Sequence, residues 1–448
     1  MSMEKIVIIG GVAAGTKTAA KLRRLNPDAQ IDIYTEDTHV SYSTCGFPYF
    51  IGGNFDEEAY LYARTVEEFE KSGIHIHLKS KCDRIDTQAK IVYGNGFEAP
   101  YDKLMIATGA VPFVPNIKNV GLKNVFTLRH VEDALAIKER AANCGHVTVV
   151  GGGYIGVELM EAFVKRGMKV TLVEASPFIM STFDDDMAEL IQKYVLAHCN
   201  DEVEIINNDM VTEFVGTEAV EKVMTAKGKE IATDFVVICA GVRPNVELAK
   251  SCGVELGVTG AIKVDERMRT NIEDVYAAGD CAEKFHIVSR KNCWIPMAST
   301  AIKEGRCAAI NMSGAKDYFF GVVGSGITKY FDFTMGLAGL NEKDAKRYGF
   351  EPVSAIVRKS DKVDYMPDAK EIIVKVVADK HTRNLLGIQT IGYGNADKRV
   401  STFVPALNCH FTVDNFMKND LPYSPAFSTS VDPVLTACEK LVEKLGTK

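Results

Sequence analysis

Short apolar runs, glycine-rich turns and amphipathic stretches alternate along the start of the chain. An apolar run over residues 6–9 ends in a glycine-rich turn over 10–15, and a helix-like stretch over 16–25 leads to a second apolar run over 31–34. Uninterrupted apolar runs of this length are typical of strands buried on both faces of a parallel sheet. The pattern therefore predicts a strand, turn, helix and strand at the N-terminus.

The same pattern returns further along the chain. An apolar run over 147–150 is followed by a glycine-rich turn over 151–156, a helical stretch through Phe163 and a second run over 170–173. A strand that leads through a glycine turn into a helix is the unit from which doubly wound sheets are built. We therefore predict an α/β protein with two Rossmann-like dinucleotide-binding domains.

Two further apolar runs, over 101–109 and 235–245, end in turns of small residues, and we expect the chain to leave one domain at each of them. From about residue 325 the pattern changes to short alternating segments. These segments cover 327–333, 351–357, 371–377 and 385–391, and a helical tail follows them. Such segments are typical of antiparallel strands, so a separate C-terminal α+β domain is predicted.

Length and composition agree with a multidomain globular protein. The 448 residues correspond to about three domains, with 46% hydrophobic and 25% charged residues. The formal net charge is -7 and there is no long basic block, so we expect no nucleic-acid partner. The first strand begins too early for a signal peptide or a membrane span, and the eleven cysteines include no C-x-x-C pair. We therefore predict a cytoplasmic protein without a membrane anchor, a disulfide framework or a metal site.

The first glycine turn has the chemistry of a phosphate-binding site. Gly10 and Gly15 allow the backbone to approach a pyrophosphate at a helix N-terminus, where free N–H groups and the helix dipole favour an anion. Glu36 lies 21 residues after Gly15, the distance expected of an acid that accepts hydrogen bonds from a ribose. Val12 stands in the place of the usual second glycine, so this turn is the weaker signal of the two.

The second turn contains all three glycines, Gly151, Gly153 and Gly156. Glu174 lies 21 residues after Gly153, at the end of the following strand. A carboxylate there would bind the ribose 2′-hydroxyl of NADH and repel the 2′-phosphate of NADPH. The sequence therefore favours NADH.

Asp280 follows a strand-like run and the small-residue turn at Gly279. A carboxylate at this place can bind a polyol such as the ribityl chain of a flavin. A helix N-cap is an equally good interpretation of the same pattern.

Cys45 differs from the other ten cysteines in its position. It follows the first nucleotide unit directly, with Gly46 and Pro48 beside it, at the expected start of a helix. Helix-terminal N–H groups near the sulfur would favour the thiolate. Without this context, a small buried hydrophobic residue would be the ordinary interpretation of a cysteine.

Several motifs together resemble the pyridine nucleotide-disulfide oxidoreductases. They are residues 10–15, Ser41-x-x-x-Cys45-Gly46-x-Pro48-Tyr49, Ala107-Thr108-Gly109, residues 151–158 and Ala278-Gly279-Asp280. The resemblance covers the whole chain and is strongest to the single-cysteine branch, which contains CoA-disulfide reductases, NAD(P)H-dependent persulfide and polysulfide reductases, NADH oxidases and NADH peroxidases. It implies an FAD-binding domain over 1–115 and 243–325, an NAD(P)H-binding domain over 116–242 and a dimerisation domain over 326–448, in a homodimer.

The resemblance also implies roles for single residues. Cys45 would be the redox thiol above the flavin, Tyr154 a gate that the nicotinamide displaces, and Glu158 a neighbour of the nicotinamide. The alternatives are that Tyr154 packs the helix and that Glu158 is a solvated helix charge. The implied cofactors are FAD and NADH, with NADPH possible. The residues expected to contact them are Gly10, Val12, Ala13, Ala14, Gly15, Glu36, Ser41, Thr108, Gly109, Gly151, Gly153, Tyr154, Ile155, Gly156, Glu174, Gly241, Gly279, Asp280 and Ala298.

Two positions favour a small disulfide as the electron acceptor. Phe50 stands where glutathione and lipoamide reductases have a second cysteine, so electrons must pass through one sulfur. Ala13 stands where peroxidases and many oxidases of the branch have a histidine. We therefore expect Cys45 to form a mixed disulfide with a small thiol.

The identity of this thiol stays open. The resemblance implies that Tyr365 and Tyr423 of the partner subunit help a departing thiolate, although both could be turn tyrosines packed against prolines. Basic Lys21 and Arg24 could hold CoA phosphates, or be a solvated helix face, with Ser41 and Thr44 beside the thiol. These substrate contacts fit coenzyme A as substrate or bound ligand.

Thr44 replaces the asparagine that is common in CoA-linked members of the branch. CoA disulfide, CoA persulfide, polysulfide and other small disulfides therefore remain open as substrates. We expect no rhodanese domain after the C-terminal domain, so that any sulfur substrate would be free. Two other functions stay open, an NADH oxidase with oxygen as acceptor, and a flavin-based electron carrier or redox sensor with a protein partner.

Overall fold

The computed structural model describes residues 3–199 and 201–446. The strands in this part of the chain are, in order, β1 (Lys5–Ile9), β2 (Gln30–Tyr34), β3 (Ile74–His77), β4 (Cys82–Asp86), β5 (Ile91–Gly94), β6 (Phe97–Pro100), β7 (Lys103–Ile106), β8 (Ala110–Pro112), β9 (Val125–Phe126), β10 (His146–Val150), β11 (Lys169–Val173), β12 (Val203–Ile206), β13 (Val211–Val215), β14 (Lys222–Thr225), β15 (Glu230–Ala232), β16 (Phe235–Ile238), β17 (Val242–Pro244), β18 (Val275–Ala277), β19 (Lys284–His286), β20 (Lys291–Cys293), β21 (Gly326–Tyr330), β22 (Phe333–Gly339), β23 (Pro352–Ser360), β24 (Glu371–Asp379) and β25 (Leu385–Gly392).

The α-helices in the same part of the chain are α1 (Ala13–Leu25), α2 (Phe47–Ile51), α3 (Val66–Lys71), α4 (Val131–Ala141), α5 (Tyr154–Lys165), α6 (Asp185–Ala197), α7 (Glu247–Ser251), α8 (Ala298–Met312), α9 (Glu342–Arg347), α10 (Ala396–Asn408), α11 (Val413–Phe416) and α12 (Pro433–Leu445). Short 3₁₀ helices cover Thr44–Gly46 and Glu58–Leu61. None of the helices within the described ranges combines the length and the apolar character needed to cross a membrane.

The first sheet has the strand order β18-β7-β1-β2-β3, and all its neighbouring strands are parallel. Alternate residues of β1 enter two different cores: Ile6 and Ile8 pack in the cluster that contains α1 and α8, whereas Val7 and Ile9 pack in a second cluster on the other face. Burial on both faces explains why the strand is apolar at every position. The N-terminal strand and helix of the predicted unit are thereby confirmed, with the helix beginning three residues earlier, at Ala13.

The second sheet repeats this arrangement, with the order β12-β11-β10-β16-β9 and parallel neighbours throughout. One face packs against α5, and the other packs against the small antiparallel sheet of β13, β14 and β15. In both sheets the strand before the glycine turn is central and the acid-terminated strand is its neighbour. This confirms the prediction of an α/β protein with two Rossmann-like units.

The chain enters and leaves the second unit at one place. Strands β8 and β17 pair antiparallel, with Val242 opposite Pro112. Because the outgoing and returning segments lie side by side, the second sheet is an insertion in the first unit. The paired strands lie next to the two small-residue turns where the sequence predicted that the chain changes domain.

The C-terminal sheet is antiparallel, with the order β21-β22-β25-β24-β23. Helices α10 and α12 pack in its core. The prediction of one strand over 327–333 is wrong, because β21 ends at Tyr330 and β22 begins at Phe333. Phe331 between them has a φ of +53°, and its N–H donates to Glu161 Oε2 of α5 at 2.9 Å. The turn thus combines a common turn residue, Asp332, with a contact to a distant helix.

Candidate active site

The first glycine turn connects β1 to α1. Gly10 has a φ of +111°, and a Cβ there would lie 2.2 Å from the carbonyl oxygen of Ala107. A Cβ on Gly15 would lie 1.9 Å from the carbonyl oxygen of Gly10, so the strand and the helix pack too closely for a side chain. Val12 is the N-cap of α1 and makes no side-chain cap hydrogen bond. The first N–H groups of α1 therefore remain available to an anion.

The second glycine turn connects β10 to α5 in the same way. Gly151 has a φ of +106°, and a Cβ there would lie 2.5 Å from the carbonyl oxygen of Cys239. A Cβ on Gly156 would lie 2.0 Å from the carbonyl oxygen of Gly151. A Cβ on Gly153, the N-cap of α5, would meet open space. Exposed Ile155 follows in the first turn of α5.

The two predicted ribose acids end equivalent strands but have different partners. Glu36 follows β2, is exposed, and lies 3.8 Å from a guanidinium nitrogen of Arg129. Glu174 follows β11, and its two oxygens accept hydrogen bonds from the N–H of Gly152 at 2.6 Å and of Ser176 at 2.7 Å. These contacts fix the Glu174 carboxylate against the second glycine turn.

Asp280 carries a polar atom that lacks a partner. Its Oδ1 atom is buried and accepts no hydrogen bond in the part of the chain that the structure describes. Burial raises the pKa of the Asp280 carboxyl, against the lowering effect of Lys284. The interpretation of Asp280 as a helix N-cap is wrong, because it lies in a turn and the next helix, α8, begins only at Ala298. A buried acceptor of this kind fits a ligand hydroxyl.

The loops next to β8 and β17 hold each other in place. The Thr108 hydroxyl donates to the carbonyl oxygen of Asn245 at 2.6 Å, and the Asn245 N–H donates to the carbonyl oxygen of Gly109 at 2.9 Å. Gly109 and Gly241 have positive φ values, and a Cβ at either would meet open space. A ligand can therefore approach the backbone closely at both glycines.

These features fit the two cofactors that the sequence implies. The first unit combines a tight glycine turn, a strand-terminal acid, the unpartnered Asp280 oxygen and the exposed start of α8 at Ala298. The second unit combines a tight glycine turn with the fixed Glu174 carboxylate. The described residues include no group of three or more His, Cys, Asp and Glu side chains that could hold a metal ion.

Cys45 lies in the 3₁₀ turn Thr44–Gly46, directly before α2, and is an exposed residue whose sulfur is partly desolvated. The segment is tied to the first glycine turn, because the Ser41 N–H donates to the carbonyl oxygen of Gly11 at 2.8 Å. Ser41 itself has a φ of +57°, which is uncommon for a residue with a side chain. The chain therefore holds the thiol close to the first nucleotide unit.

The charge environment of Cys45 differs from the predicted one. Partial desolvation raises the pKa of the thiol, and the charges of Glu158 and Asp280 raise it further, whereas a hydrogen bond with the Thr44 side chain lowers it. This shift runs against the predicted thiolate character of Cys45. Burial of the sulfur is its largest cause, followed by the charge of Glu158, and α2 is a short helix that begins two residues after Cys45.

Glu158 and Tyr154 lie on α5, which α2 contacts. Glu158 Oε1 accepts a hydrogen bond from the Thr328 hydroxyl at 2.8 Å, and burial raises the pKa of Glu158. The interpretation of Glu158 as a solvated charge is thereby wrong. Burial also raises the pKa of Tyr154, to about 12, while the Thr182 side chain lowers it. Tyr154 is half-buried and lies against Gly326 of β21, and its role at the nicotinamide stays a prediction.

Ser41 and Thr44 lie in the segment of Cys45, whereas four other predicted catalytic and substrate residues lie outside it. The side chains of Tyr365 and Tyr423 are 73% and 49% exposed on the C-terminal domain, and no hydrogen bond within the described ranges joins either to Cys45. Lys21 is half-exposed and Arg24 is exposed on the last two turns of α1. Their roles at the thiol therefore stay predictions.

Two residues of the C-terminal domain were not predicted. Thr328 donates to Glu158, and a Cβ on Gly326 would lie 2.7 Å from the Tyr154 hydroxyl oxygen. The Thr328 contact joins residues 170 positions apart in the chain, and no motif in the sequence signals either contact.

Comparisons with known proteins agree with this geometry. Residues 4–305 match the family described as pyridine nucleotide-disulphide oxidoreductase, and residues 326–434 match the dimerisation domain of the same family. The chain therefore belongs to the pyridine nucleotide-disulphide oxidoreductases, which use FAD and NAD(P)H. The predicted resemblance is confirmed, and the C-terminal sheet belongs to a dimerisation domain.

The full-length relatives in this family are named as persulfide reductases and as NADH oxidases. The chain is 36% identical to an NAD(P)H coenzyme A polysulfide/persulfide reductase of Pyrococcus horikoshii, over 98% of each chain. It is 32% identical to an NADH oxidase of Methanocaldococcus jannaschii, over 99% of this chain and 100% of the relative. The solved structure of an NAD-dependent persulfide reductase from A. fulgidus superposes with a TM-score of 0.95, at 34% identity, over 98% of this chain and 83% of that one.

Proposed function

We propose that this protein is an FAD-dependent NAD(P)H:disulfide oxidoreductase that reduces CoA disulfide, CoA persulfide or polysulfide, or a similar small disulfide, through Cys45. The observation that carries the proposal is an exposed thiol tied to the first nucleotide unit, with Glu158 of the second unit and Asp280 of the first close enough to shift its pKa. One sulfur thus lies where two dinucleotide units meet. Relatives named as sulfur and coenzyme A reductases, at 36% identity over the full length, support the same chemistry.

We assign FAD to the discontinuous domain of residues 1–115 and 243–325. The residues that would hold it are Gly10, Val12, Ala13, Ala14, Gly15, Glu36, Ser41, Thr108, Gly109, Gly241, Gly279, Asp280 and Ala298. Asp280 would accept a hydrogen bond from a hydroxyl of the ribityl chain, since its buried oxygen lacks a partner among the described residues. Bound FAD supplies the two-electron chemistry that connects nicotinamide and sulfur.

We assign NAD(P)H to residues 116–242. Gly151, Gly153, Ile155 and Gly156 would form the pyrophosphate turn, and Glu174 would accept from the ribose. The Glu174 carboxylate would repel a 2′-phosphate, which favours NADH over NADPH. Tyr154 and Glu158 would face the nicotinamide, since they lie on the helix that starts at this turn.

Cys45 would act as the nucleophile. Its thiolate attacks one sulfur of the substrate, a new S–S bond forms, the substrate S–S bond breaks, and the departing thiolate takes up a proton. Two electrons that originate from NAD(P)H then break the mixed disulfide and release the second thiol. Because neighbouring carboxylates disfavour the thiolate, loss of a nearby negative charge would activate Cys45.

The active site would be completed in a homodimer. Tyr365 and Tyr423 are exposed on the dimerisation domain, which supports their placement at the thiol of the partner subunit. Each phenol could donate a hydrogen bond to the departing thiolate. Lys21 and Arg24 would bind phosphates of a CoA substrate, with Ser41 and Thr44 beside the sulfur. We place the protein in the cytoplasm, because its scattered cysteines suit a reducing compartment.

A second candidate is an NADH oxidase, favoured by the relative from Methanocaldococcus jannaschii that carries this name. Ala13 argues against it, since this first residue of α1 has no group that can transfer a proton to a reduced oxygen species. The two candidate functions differ in the electron acceptor, which is a small disulfide for the reductase and oxygen for the oxidase.

An acceptor screen tests the proposal. The purified protein is supplied with NADH or NADPH and, without oxygen, with CoA disulfide, CoA persulfide, polysulfide or glutathione disulfide. We expect rapid nucleotide oxidation with at least one sulfur acceptor and slow oxidation in air alone. Rapid oxidation in air without any disulfide would instead support the oxidase, and slow turnover with every acceptor would support an electron carrier with a protein partner.

A further inference from the structure

Strand β21 of the dimerisation domain lies along helix α5, and alternate residues of the strand meet successive turns of the helix. Gly326 lies against Tyr154, and the Thr328 hydroxyl donates to Glu158 Oε1 at 2.8 Å. Two residues of a strand span about 6.6 Å and four residues of a helix about 6 Å. The spacing of Gly326 and Thr328 along the strand therefore matches the spacing of Tyr154 and Glu158 along the helix. The strand thus contacts both residues of α5 that the proposed function places at the nicotinamide.

Gly326 makes room for the Tyr154 side chain. A Cβ at this position would lie 2.7 Å from the phenol oxygen and 3.2 Å from Cζ of the ring. The φ of Gly326 is not positive, so a side chain here would act through this contact, by displacing the Tyr154 ring, and not through the backbone conformation. The Thr182 side chain also lowers the pKa of the phenol, and the carbonyl oxygen of Thr182 accepts from Asn341 Nδ2 of the C-terminal domain at 3.1 Å. Tyr154 is therefore held by groups that the C-terminal domain supplies or supports.

Thr328 holds the Glu158 carboxylate. Its side chain is buried, and its hydroxyl is the donor to Oε1. Burial raises the pKa of Glu158, and this hydrogen bond lowers it, so that Thr328 favours the charged carboxylate in a place that disfavours it. The other titratable groups that act on this site are Cys45, Tyr49, Tyr154 and Glu161.

We propose that Gly326 and Thr328 are positioning residues of the NADH half of the reaction: the dimerisation domain places the Tyr154 ring and orients the Glu158 carboxylate through strand β21. This inference rests on the proposed function in assigning Tyr154 and Glu158 to the nicotinamide site. Strand β21 is the first strand of the domain that is expected to form the dimer. One dimerisation domain would therefore support hydride transfer in its own subunit and complete the thiol site of the partner subunit.

Gly326→Ala tests the first contact. The flavin-loaded protein is mixed with NADH without oxygen, and both the flavin reduction rate and the NADH dissociation constant are measured. We expect the ratio of the limiting rate to the dissociation constant to fall about tenfold, because the added methyl displaces the ring. Tyr154→Phe removes the atom nearest to this methyl, so adding Gly326→Ala to that background should cost less than about threefold. Lys329→Ala, an exposed change on the same strand, should have no effect.

Thr328→Val and Thr328→Ser test the second contact. Valine keeps the shape and removes the donor, which raises the pKa of Glu158, whereas serine keeps the donor. We expect the pH midpoint of flavin reduction to move upward in Thr328→Val and to return towards the wild-type value in Thr328→Ser. A loss of packing alone would slow both variants at every pH without moving the midpoint.

The inference is overturned if Gly326→Ala costs the same factor with and without the phenol, or nothing in either background. It is also overturned if Thr328→Val leaves the pH midpoint unchanged. Failure of the proposed function looks different, since the wild-type flavin would then stay oxidised with NADH. In that case the NADH dissociation constants of the four Gly326 and Tyr154 combinations still decide whether the two positions are coupled. If Gly326→Ala does not fold, the Thr328 pair decides the question.

Discussion

Among single residues, the charge around Cys45 decides when the thiol reacts. Desolvation and the charge of the neighbouring Glu158 raise the pKa of the Cys45 thiol. No cation among the described residues lowers this pKa in return. Removing the Glu158 charge leaves the desolvation in place, so the pKa of Cys45 should fall but stay above that of an ordinary thiol.

Glu158→Gln should therefore move the pH midpoint of Cys45 alkylation by iodoacetamide to lower pH. The thiolate is the reacting form, so a lower thiol pKa gives faster alkylation at pH values below the midpoint. Exposed Cys409 provides an internal control, since its alkylation should not change. An unchanged midpoint for Cys45 would contradict the electrostatic contact between the two side chains.

Asp280 is the residue through which flavin binding can be tested most directly. Asp280→Ala should weaken FAD binding about tenfold or more, since a hydrogen bond to a charged group contributes about 1.5–3 kcal/mol. Trp294, the single tryptophan, donates its indole N–H to the carbonyl oxygen of Asp280 at 2.7 Å, and quenching of its fluorescence by FAD reports binding. Asp28→Ala, at an exposed acid of the same domain, should bind FAD like the wild type. Equal affinities of the two variants would remove Asp280 from the flavin site.

Among the elements, the strand, turn and helix around Glu174 should set the nucleotide preference. Its carboxylate accepts from the N–H groups of Gly152 and Ser176 and so has a fixed position at the end of β11. Glu174→Ala should raise the kcat/KM ratio of NADPH to NADH at least about tenfold, because the repulsion of a 2′-phosphate is lost. Steady-state kinetics with both nucleotides measures this ratio, and Glu189→Ala on α6 is the control. A ratio that does not change would mean that Glu174 does not face the ribose.

The nucleotide units could be predicted from the sequence because their signals are local. The spacing of Gly151, Gly153 and Gly156 follows from contacts within one strand, one turn and one helix, and an apolar run at every position follows from burial on both faces. Asp280 was less certain, since its pattern fits a helix N-cap as well as a polyol contact. The structure rules out the helix N-cap, because no helix follows the turn that contains Asp280, and the polyol contact stays a prediction.

Contacts between distant segments could not be predicted. The hairpin at Phe331 depends on a hydrogen bond to Glu161, and the orientation of Glu158 depends on Thr328. The raised pKa of Cys45 also depends on the fold, because burial of the sulfur is its largest cause and the charge of Glu158, on the helix that α2 contacts, is the second. Periodicity along the chain carries no information about such pairs.

In the whole molecule, a buried lysine connects the second nucleotide unit to the C-terminal sheet. The Lys375 ammonium of β24 is 2% exposed and lies 3.0 Å from Asp184, 2.8 Å from Asp186 and 3.0 Å from Glu342. Burial opposes its charge, but the hydrogen bonds with Asp186 and Asp184 outweigh burial and raise the pKa of Lys375. The cluster therefore joins two domains through charge.

Lys375→Met should lower the free energy of unfolding by roughly 3 kcal/mol, because it leaves the buried Asp184 carboxylate without its cation. Urea unfolding at neutral pH measures the loss, and Lys359→Met on β23, at an exposed lysine, is the control. The sign with pH follows from the raised pKa: the contribution of Lys375 is fully present below its unfolded value, about 10.5, and is lost as the pH rises through the folded value. Equal stability of the two variants would contradict this account of the cluster.

The central claim is that electrons leave the protein through the single sulfur of Cys45. Cys45→Ser should be compared with the wild type in two steps without oxygen: reduction of the bound flavin by NADH, and oxidation of NADH when CoA disulfide or CoA persulfide is added. The flavin of the variant should still be reduced by NADH, while turnover with the sulfur acceptor should fall to the background rate. Full turnover with the sulfur acceptor in Cys45→Ser would contradict the central claim.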